Sequence, residues 1–207
     1  ILIKSASDLI SLESPNYQFV AARLLLFAIQ KQVFNTKWKD SEIYPPLFDL
    51  IERNIKHGVY DAEILKLYTK EEIEICDKYI KHGRDFDFTY AGLQQVVDKY
   101  LVQDRSTGEI YESPQFMYLL ISATIFSKYS KEVRLDYVKK YYDAISKHRI
   151  NIPTPIMAGV RTPLRQYASC VLVDIDDTLD SIFSSDMAIG KYVAQRAGIG
   201  INAGRIR

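Results

Sequence analysis

The chain has 207 residues, 47% hydrophobic and 26% charged, an ordinary globular mixture that excludes intrinsic disorder, collagen-like repetition and low-complexity linkers. Lys and Arg total 27 against 26 Asp and Glu, so the formal charge of +1 gives no field for a polyanion and disfavours a general nucleic-acid binder. The longest apolar runs, Leu24–Ile29 and Phe116–Ile121, fall far short of the ~20 residues of a membrane span, while Cys76 and Cys170 lack metal-type spacing and no charged leader is visible, which points to a reducing, cytoplasmic compartment.

From Ala6 to Val33 the apolar residues follow a helical rhythm, with Ser14-Pro15 as a helix-start signature. Residues 35–46 are polar and end in two prolines, so they read as a loop before a helix over Leu47–Lys56 that stops at His57-Gly58. A short helix is expected over Asp61–Leu67, and Thr69-Lys-Glu-Glu72 has the capping-box form, opening a helix to about Lys81. Around residue 100, Lys99–Gln103 and Glu109–Glu112 are β-prone runs flanking Asp104–Gly108, a hairpin with a Gly-containing loop. Helical spacing resumes after Pro114, and a second helix over Lys131–Lys147 places Leu135, Val138, Tyr142 and Ile145 on its buried face. Three prolines and a glycine in Asn151–Pro163 exclude a regular helix there. Ser169–Ile175 centres on Cys-Val-Leu-Val, a strand buried on both faces. Asp180–Arg196 is helical, and with the glycines at 198, 200 and 204 this order is that of an opening βαβ unit. The start at Ile1 and the polar end at Gly204–Arg207 are expected of a piece of a longer chain.

Four segments could carry chemistry. Asn151–Pro163 holds the Thr154 and Thr162 hydroxyls and several N–H groups free of secondary structure, which suits an oxyanion or phosphate, or is a rigid crossover. Cys170 heads the strand, where a cysteine is more often a small hydrophobe than a reagent. His57, His82 and His148 show no pairing with it, and Cys76 lies in an acidic helix that disfavours a thiolate. Gly198-Ile-Gly200 follows a helix, so a dinucleotide fingerprint fails its context, and the glycines instead allow close backbone approach. The Asp174-Ile-Asp-Asp-Thr178 cluster either caps the next helix or holds a divalent cation, with Asp177 near helix N–H groups in both cases. No metal site is assigned.

Together the strings Pro153–Pro163, Gln166–Cys170 and Gln195–Arg207 closely resemble the large (α) subunit of class I ribonucleotide reductase, and Tyr17–Arg23, Lys99–Gln103 and Thr107–Glu112 extend the likeness over essentially the whole chain. The resemblance implies a mainly α-helical region with a β-hairpin over 1–150, leading at 151–207 into the first strand and helix of a ten-stranded α/β barrel. It further implies that Cys170 is one of two thiols that reduce the ribose and become a disulfide each turnover. Ser169 would then lie at the ribose and Thr154 near the diphosphate of a ribonucleoside diphosphate. Asp177, Leu179 and Arg207 match contacts of a nucleoside triphosphate effector, and the helix after Leu179 matches one that packs against a second subunit in a homodimer. The family's second redox cysteine and radical-bearing cysteine fall beyond Arg207 in its pattern, and its N-terminal ATP-binding module is represented by no more than its tail. No cofactor is expected on this chain; a separate small subunit would supply the radical, and thioredoxin or glutaredoxin the reducing equivalents. Ala168 and Thr178 stand where relatives often carry serine. A different expectation is a non-catalytic helical nucleotide-sensing or partner-binding module, in which Cys170 packs among apolar side chains instead of facing a cavity beside Thr154.

Overall fold

The computed structural model describes residues 1–35, 44–165, 167–195 and 197–207. The loop expected at 36–43, Gln166 of the string Gln166–Cys170 and the Arg196 end of the last helix lie outside the described residues.

The first helical rhythm is divided into α1 (Leu2–Asp8) and α2 (Tyr17–Phe34). Ser14-Pro15 is not the helix start. Their carbonyls accept from Tyr17 N (3.3 Å) and Gln18 N (3.2 Å), forming the turn that leads in, and Asn16 precedes the first helical residue. Helix α3 (Leu47–Lys56) ends as expected at His57, with Gly58 in the left-handed region at φ +70°. In α4 (Glu63–Leu67) the Asp61 carboxylate accepts from Glu63 N at 2.9 Å. Helix α5 (Lys70–Asp77) carries the expected capping box, Thr69 Oγ1 accepting from Glu72 N and Glu72 Oε2 from Thr69 N. It stops short of Lys81, whose N–H is diverted to the Tyr142 hydroxyl at 2.8 Å. Glu72 also pairs with buried Arg134, which lies 4.3 Å above the Tyr68 ring and ties α5 to α8 (Lys131–Ser146).

Helix α6 (Tyr90–Lys99) occupies a stretch for which no helix is expected from the sequence; Thr89 caps it and Leu93 and Val96 bury inward. Because its last turn runs to Lys99, the strand expected from that residue begins later. The hairpin is β1 (Gln103–Asp104) against antiparallel β2 (Glu109–Ile110), with Gly108 at φ +76° in the loop. Helix α7 (Pro114–Ile125) is buried from Pro114 to Ala123 and forms the centre of the core, against which α8 packs Val138, Tyr142 and Ile145.

The exclusion of helix from 151–163 is overturned by α9 (Thr154–Gly159). Pro153 stands just before it and Pro155 in its first turn, where a missing N–H loses no hydrogen bond. Strand β3 (Cys170–Asp174) then pairs in parallel with β4 (Gly198–Asn202), from Cys170 opposite Gly198 to Asp174 opposite Asn202, with α10 (Leu179–Ala194) as crossover, the expected βαβ unit. Burial of β3 on both faces does not hold: Leu172 is 87% exposed. Among the described residues β4 pairs with β3 and α10 packs on it, which leaves its other edge unpaired by these residues. Among the described residues no helix is long and apolar enough to cross a membrane.

Candidate functional site

The segment carrying Thr154 is held to the helical body by a buried ion pair between Glu112 and Arg161. Glu112 accepts from Tyr60 Oη (2.5 Å) and Val102 N (2.8 Å) besides Arg161 Nε (2.9 Å). Arg161 donates onward to the carbonyls of Met157 (2.5 Å) and Tyr100 (2.8 Å). Every charge in the pair is thus hydrogen-bonded, the condition under which two ions tolerate burial. The guanidinium in this phosphate-like string is therefore consumed in positioning α9 and is not free for an anion. Thr162 is also spent: its hydroxyl donates to Gly159 O (2.8 Å) and accepts from Leu164 N (3.2 Å). Thr154 Oγ1 keeps one long contact, 3.4 Å to Tyr100 Oη.

Thr154 and Ser169 line one cavity of about 260 Å³, to which Gln195 also contributes, so three segments far apart in sequence converge there. Asp98 and Lys99, from the last turn of α6, and Arg105, from the hairpin loop, also line it, brought to Thr154 by the tertiary fold. Cys170 follows Ser169 directly and is exposed, outside the cavity lining and not packed among apolar side chains. Gly198 permits a close backbone approach beside it. Its N–H donates to Ser169 O at 2.9 Å, and a Cβ would stand 3.2 Å from that oxygen and 4.0 Å from Cys170 Sγ. The other thiol, Cys76, is buried in α5, and burial followed by the Glu72 charge pushes it up to about 12, the inert state expected from its acidic helix.

The Asp174–Thr178 cluster lies at the opposite, C-terminal end of β3. Thr178 caps α10 by accepting from Ser181 N (3.2 Å), and Ser181 Oγ accepts from Asp176 N (2.9 Å). Asp174 accepts from Asn202 Nδ2 (2.8 Å), and Asp176 pairs with Arg205 at 2.9 Å, which folds the last residues back over the turn. Arg205 lies against both carboxylates, 3.9 Å from Asp174 and 2.9 Å from Asp176, and among the described residues no group of three metal-ligating side chains gathers. Asp177 and Leu179 are exposed on this turn, and Arg207, also exposed, ends the segment that Arg205 draws to it. Ligands of parallel α/β units bind at this carboxyl end of the strands. Cys170 opens β3 and Asp177 lies in the bend beyond its end at Asp174, so at ~3.3 Å per residue the strand itself sets the two ends roughly 13 Å apart. The crossover helix presents Leu179, Phe183, Met187 and Val193 to solvent, while Ile182, Ser185 and Ile189 are its least exposed apolar or small positions.

Comparison with known proteins gives two family matches: the ribonucleotide reductase, all-alpha domain over residues 86–165 and the ribonucleotide reductase, barrel domain over residues 168–207. The change of domain falls between α9 and β3. The chain is 55% identical over 207 residues to the ribonucleoside-diphosphate reductase subunit alpha of Haemophilus influenzae, covering all of this chain and 27% of that protein. It is 52% identical to the ribonucleoside-diphosphate reductase 1 subunit alpha of Escherichia coli over 100% of this chain and 26% of that protein. To the subunit alpha of Enterobacteria phage T4 it is 45% identical over 209 residues, 27% of that protein. The chain thus spans about a quarter of the length of the curated relatives it matches.

Proposed function

Because this chain belongs to the ribonucleotide reductase large-subunit family, we propose that it serves in a class I catalytic subunit reducing ribonucleoside diphosphates to deoxyribonucleotides. The observation that carries this reading is the cavity shared by Thr154 and Ser169 with the exposed thiol of Cys170 at the next residue. A non-catalytic sensing module has no use for a thiol held at the surface beside such a cavity. In the proposed reaction the Thr154 hydroxyl orients the diphosphate and Ser169 the ribose. Cys170 and a second thiol together give two electrons and two protons: the C2′–OH bond breaks, a C2′–H bond and water form, and the two sulfurs join as a disulfide. Cys76 is excluded as the second thiol by burial, so that group lies outside these 207 residues. A radical-generating small subunit initiates the step, and a dithiol protein of the thioredoxin or glutaredoxin type resets the disulfide, in the cytoplasm.

The effector reading belongs to the same proposal. Asp177, Leu179 and Arg207 would meet a nucleoside triphosphate at the C-terminal end of β3, and the exposed face of α10 would bury against the same helix of a second subunit. The test is thiol trapping across one turnover of the full-length subunit, pre-reduced and mixed with small subunit and ribonucleoside diphosphate but no external reductant. Cys170 should lose reactivity towards iodoacetamide in step with deoxyribonucleotide formed. Equal alkylation of Cys170 with and without substrate overturns its redox role.

A further inference from the structure

A second opening of about 420 Å³, in the range of small-molecule sites, lies apart from the Thr154 cavity where α7, the end of α8 and residues 148–152 meet. Ile145, Ile152 and Met157 give it an apolar wall. Among the described residues Arg149 is the one of fixed charge in its lining, whereas the Thr154 cavity sets Asp98 beside its cations; the buried Asp85 carboxylate acts on Tyr118 from outside the lining. The Arg149 N–H is spent on Ala144 O at 2.9 Å, but its guanidinium has no partner among the described residues. His148 is held at φ +54°, a left-handed conformation that strains a non-glycine residue, and its ring lies 4.9 Å from Phe88 and 6.4 Å from Tyr118.

Tyr118 is the independent sign of a ligand. The residue is only 4% exposed, yet its hydroxyl has no hydrogen-bond partner among the described residues. Tyr118 lines this cavity, and its hydroxyl is not sealed from solvent. A tyrosine whose body is this deeply buried ordinarily finds a hydrogen-bond partner for its hydroxyl.

We infer that this cavity binds a small organic anion, its carboxylate or phosphate head taken by the Arg149 guanidinium and the Tyr118 hydroxyl and its apolar body by Ile145, Ile152 and Met157. The inference is independent of the proposed reductase chemistry. It is tested by calorimetric titration of the full-length subunit with phenyl phosphate and with benzoate, using benzyl alcohol and inorganic phosphate as partial ligands. At least one of the two organic anions should bind saturably, and each partial ligand about tenfold or more weaker, because each lacks either the charge or the apolar body. Arg149→Gln, at an exposed position, should weaken binding about tenfold or more, and Tyr118→Phe, which removes only an unpartnered hydroxyl, about threefold or more. Thr154→Val, in the other cavity, should change nothing. Absence of saturable binding by either anion, undiminished binding in both cavity variants, or loss of binding in Thr154→Val overturns the assignment.

Discussion

Replacing Asp85 by Asn should make the protein more stable at pH 8 and leave it unchanged near pH 4. Asp85 sits in the 3-10 turn His82–Asp87, 1% exposed, with one carboxyl oxygen accepting from Gln115 Nε2 at 2.8 Å and the other without a partner. Gln115 is fixed in that orientation because its Oε1 accepts from Tyr142 Oη at 2.6 Å. Among the described residues no cation answers the charge. Arg84 next door is turned to Ser146 Oγ and Asp143, each at 2.6 Å, and His82, stacked on Tyr44, is itself pushed down to about 4 by burial and stays neutral. Burial therefore raises Asp85 from 3.8 to about 7, against the smaller opposing effect of the Gln115 hydrogen bond. The unfolded chain releases this proton near pH 4 and the folded chain holds it to about pH 7, so the folded state binds more protons and loses stability as pH rises between those values. At ~1.4 kcal/mol per pH unit the full loss is ~4 kcal/mol, and local relaxation around the ionised group reduces it to about 2–4 kcal/mol. Asparagine keeps the acceptor for Gln115 without the charge. Denaturant melts at pH 4, 6 and 8 should show Asp85→Asn gaining about 2–4 kcal/mol over the parent at pH 8 and almost nothing at pH 4. Parallel pH profiles for the two proteins refute the reasoning.

Three further outcomes are expected. Arg161→Met strands the Glu112 carboxylate in the core and should cost about 3–5 kcal/mol in a urea melt, far more than loss of the exposed Lys140–Asp136 pair, worth about 0–1 kcal/mol. With a thiol reagent at pH 8, exposed Cys170 should react at least ~100-fold faster than Cys76, since a thiol raised to about 12 holds almost no thiolate there; similar rates in peptide mapping contradict the burial argument. Phe183→Glu combined with Met187→Glu, at positions 67% and 59% exposed, should shift the full-length subunit from dimer towards monomer in sedimentation, and an unchanged distribution counts against α10 as the dimer face.

Where one local interaction decides the structure, the sequence is a sufficient guide. The Thr69–Glu72 capping box, the His57-Gly58 stop of α3, the Gly108 hairpin loop and the βαβ order of 170–202 are each written in a few adjacent residues. Prolines mislead at α9 because they are disfavoured inside a helix but welcome in its first turn, and 153 and 155 occupy those places. Helix α6 is written in the sequence by Thr89 as cap and by Tyr90, Leu93, Val96 and Val97 at helical spacing, a signal masked by the β-prone run that follows. The run Cys-Val-Leu-Val reads as a fully buried strand, but burial depends on neighbours, and among the described residues β3 has one strand and one helix beside it. The same distinction holds at the site. Thr154 and Ser169, singled out in the sequence by their strings, line one cavity, whereas Lys99 and Arg105, about 50 residues before Thr154, join it only through the tertiary fold.

The proposed function separates thiol chemistry at Cys170, at the start of β3, from effector binding at Asp177, in the turn beyond its end. Turnover and effector affinity should therefore be measured together in the full-length subunit for Cys170→Ser and Asp177→Ala. Cys170→Ser should abolish multiple turnover with dithiol protein as reductant while effector affinity stays within about twofold, because the serine lies at the opposite end of β3 from the effector turn and cannot enter a disulfide. Asp177→Ala should weaken effector binding about tenfold while Cys170 remains oxidisable by substrate. Normal multiple turnover in Cys170→Ser, or unchanged effector affinity in Asp177→Ala, contradicts the account.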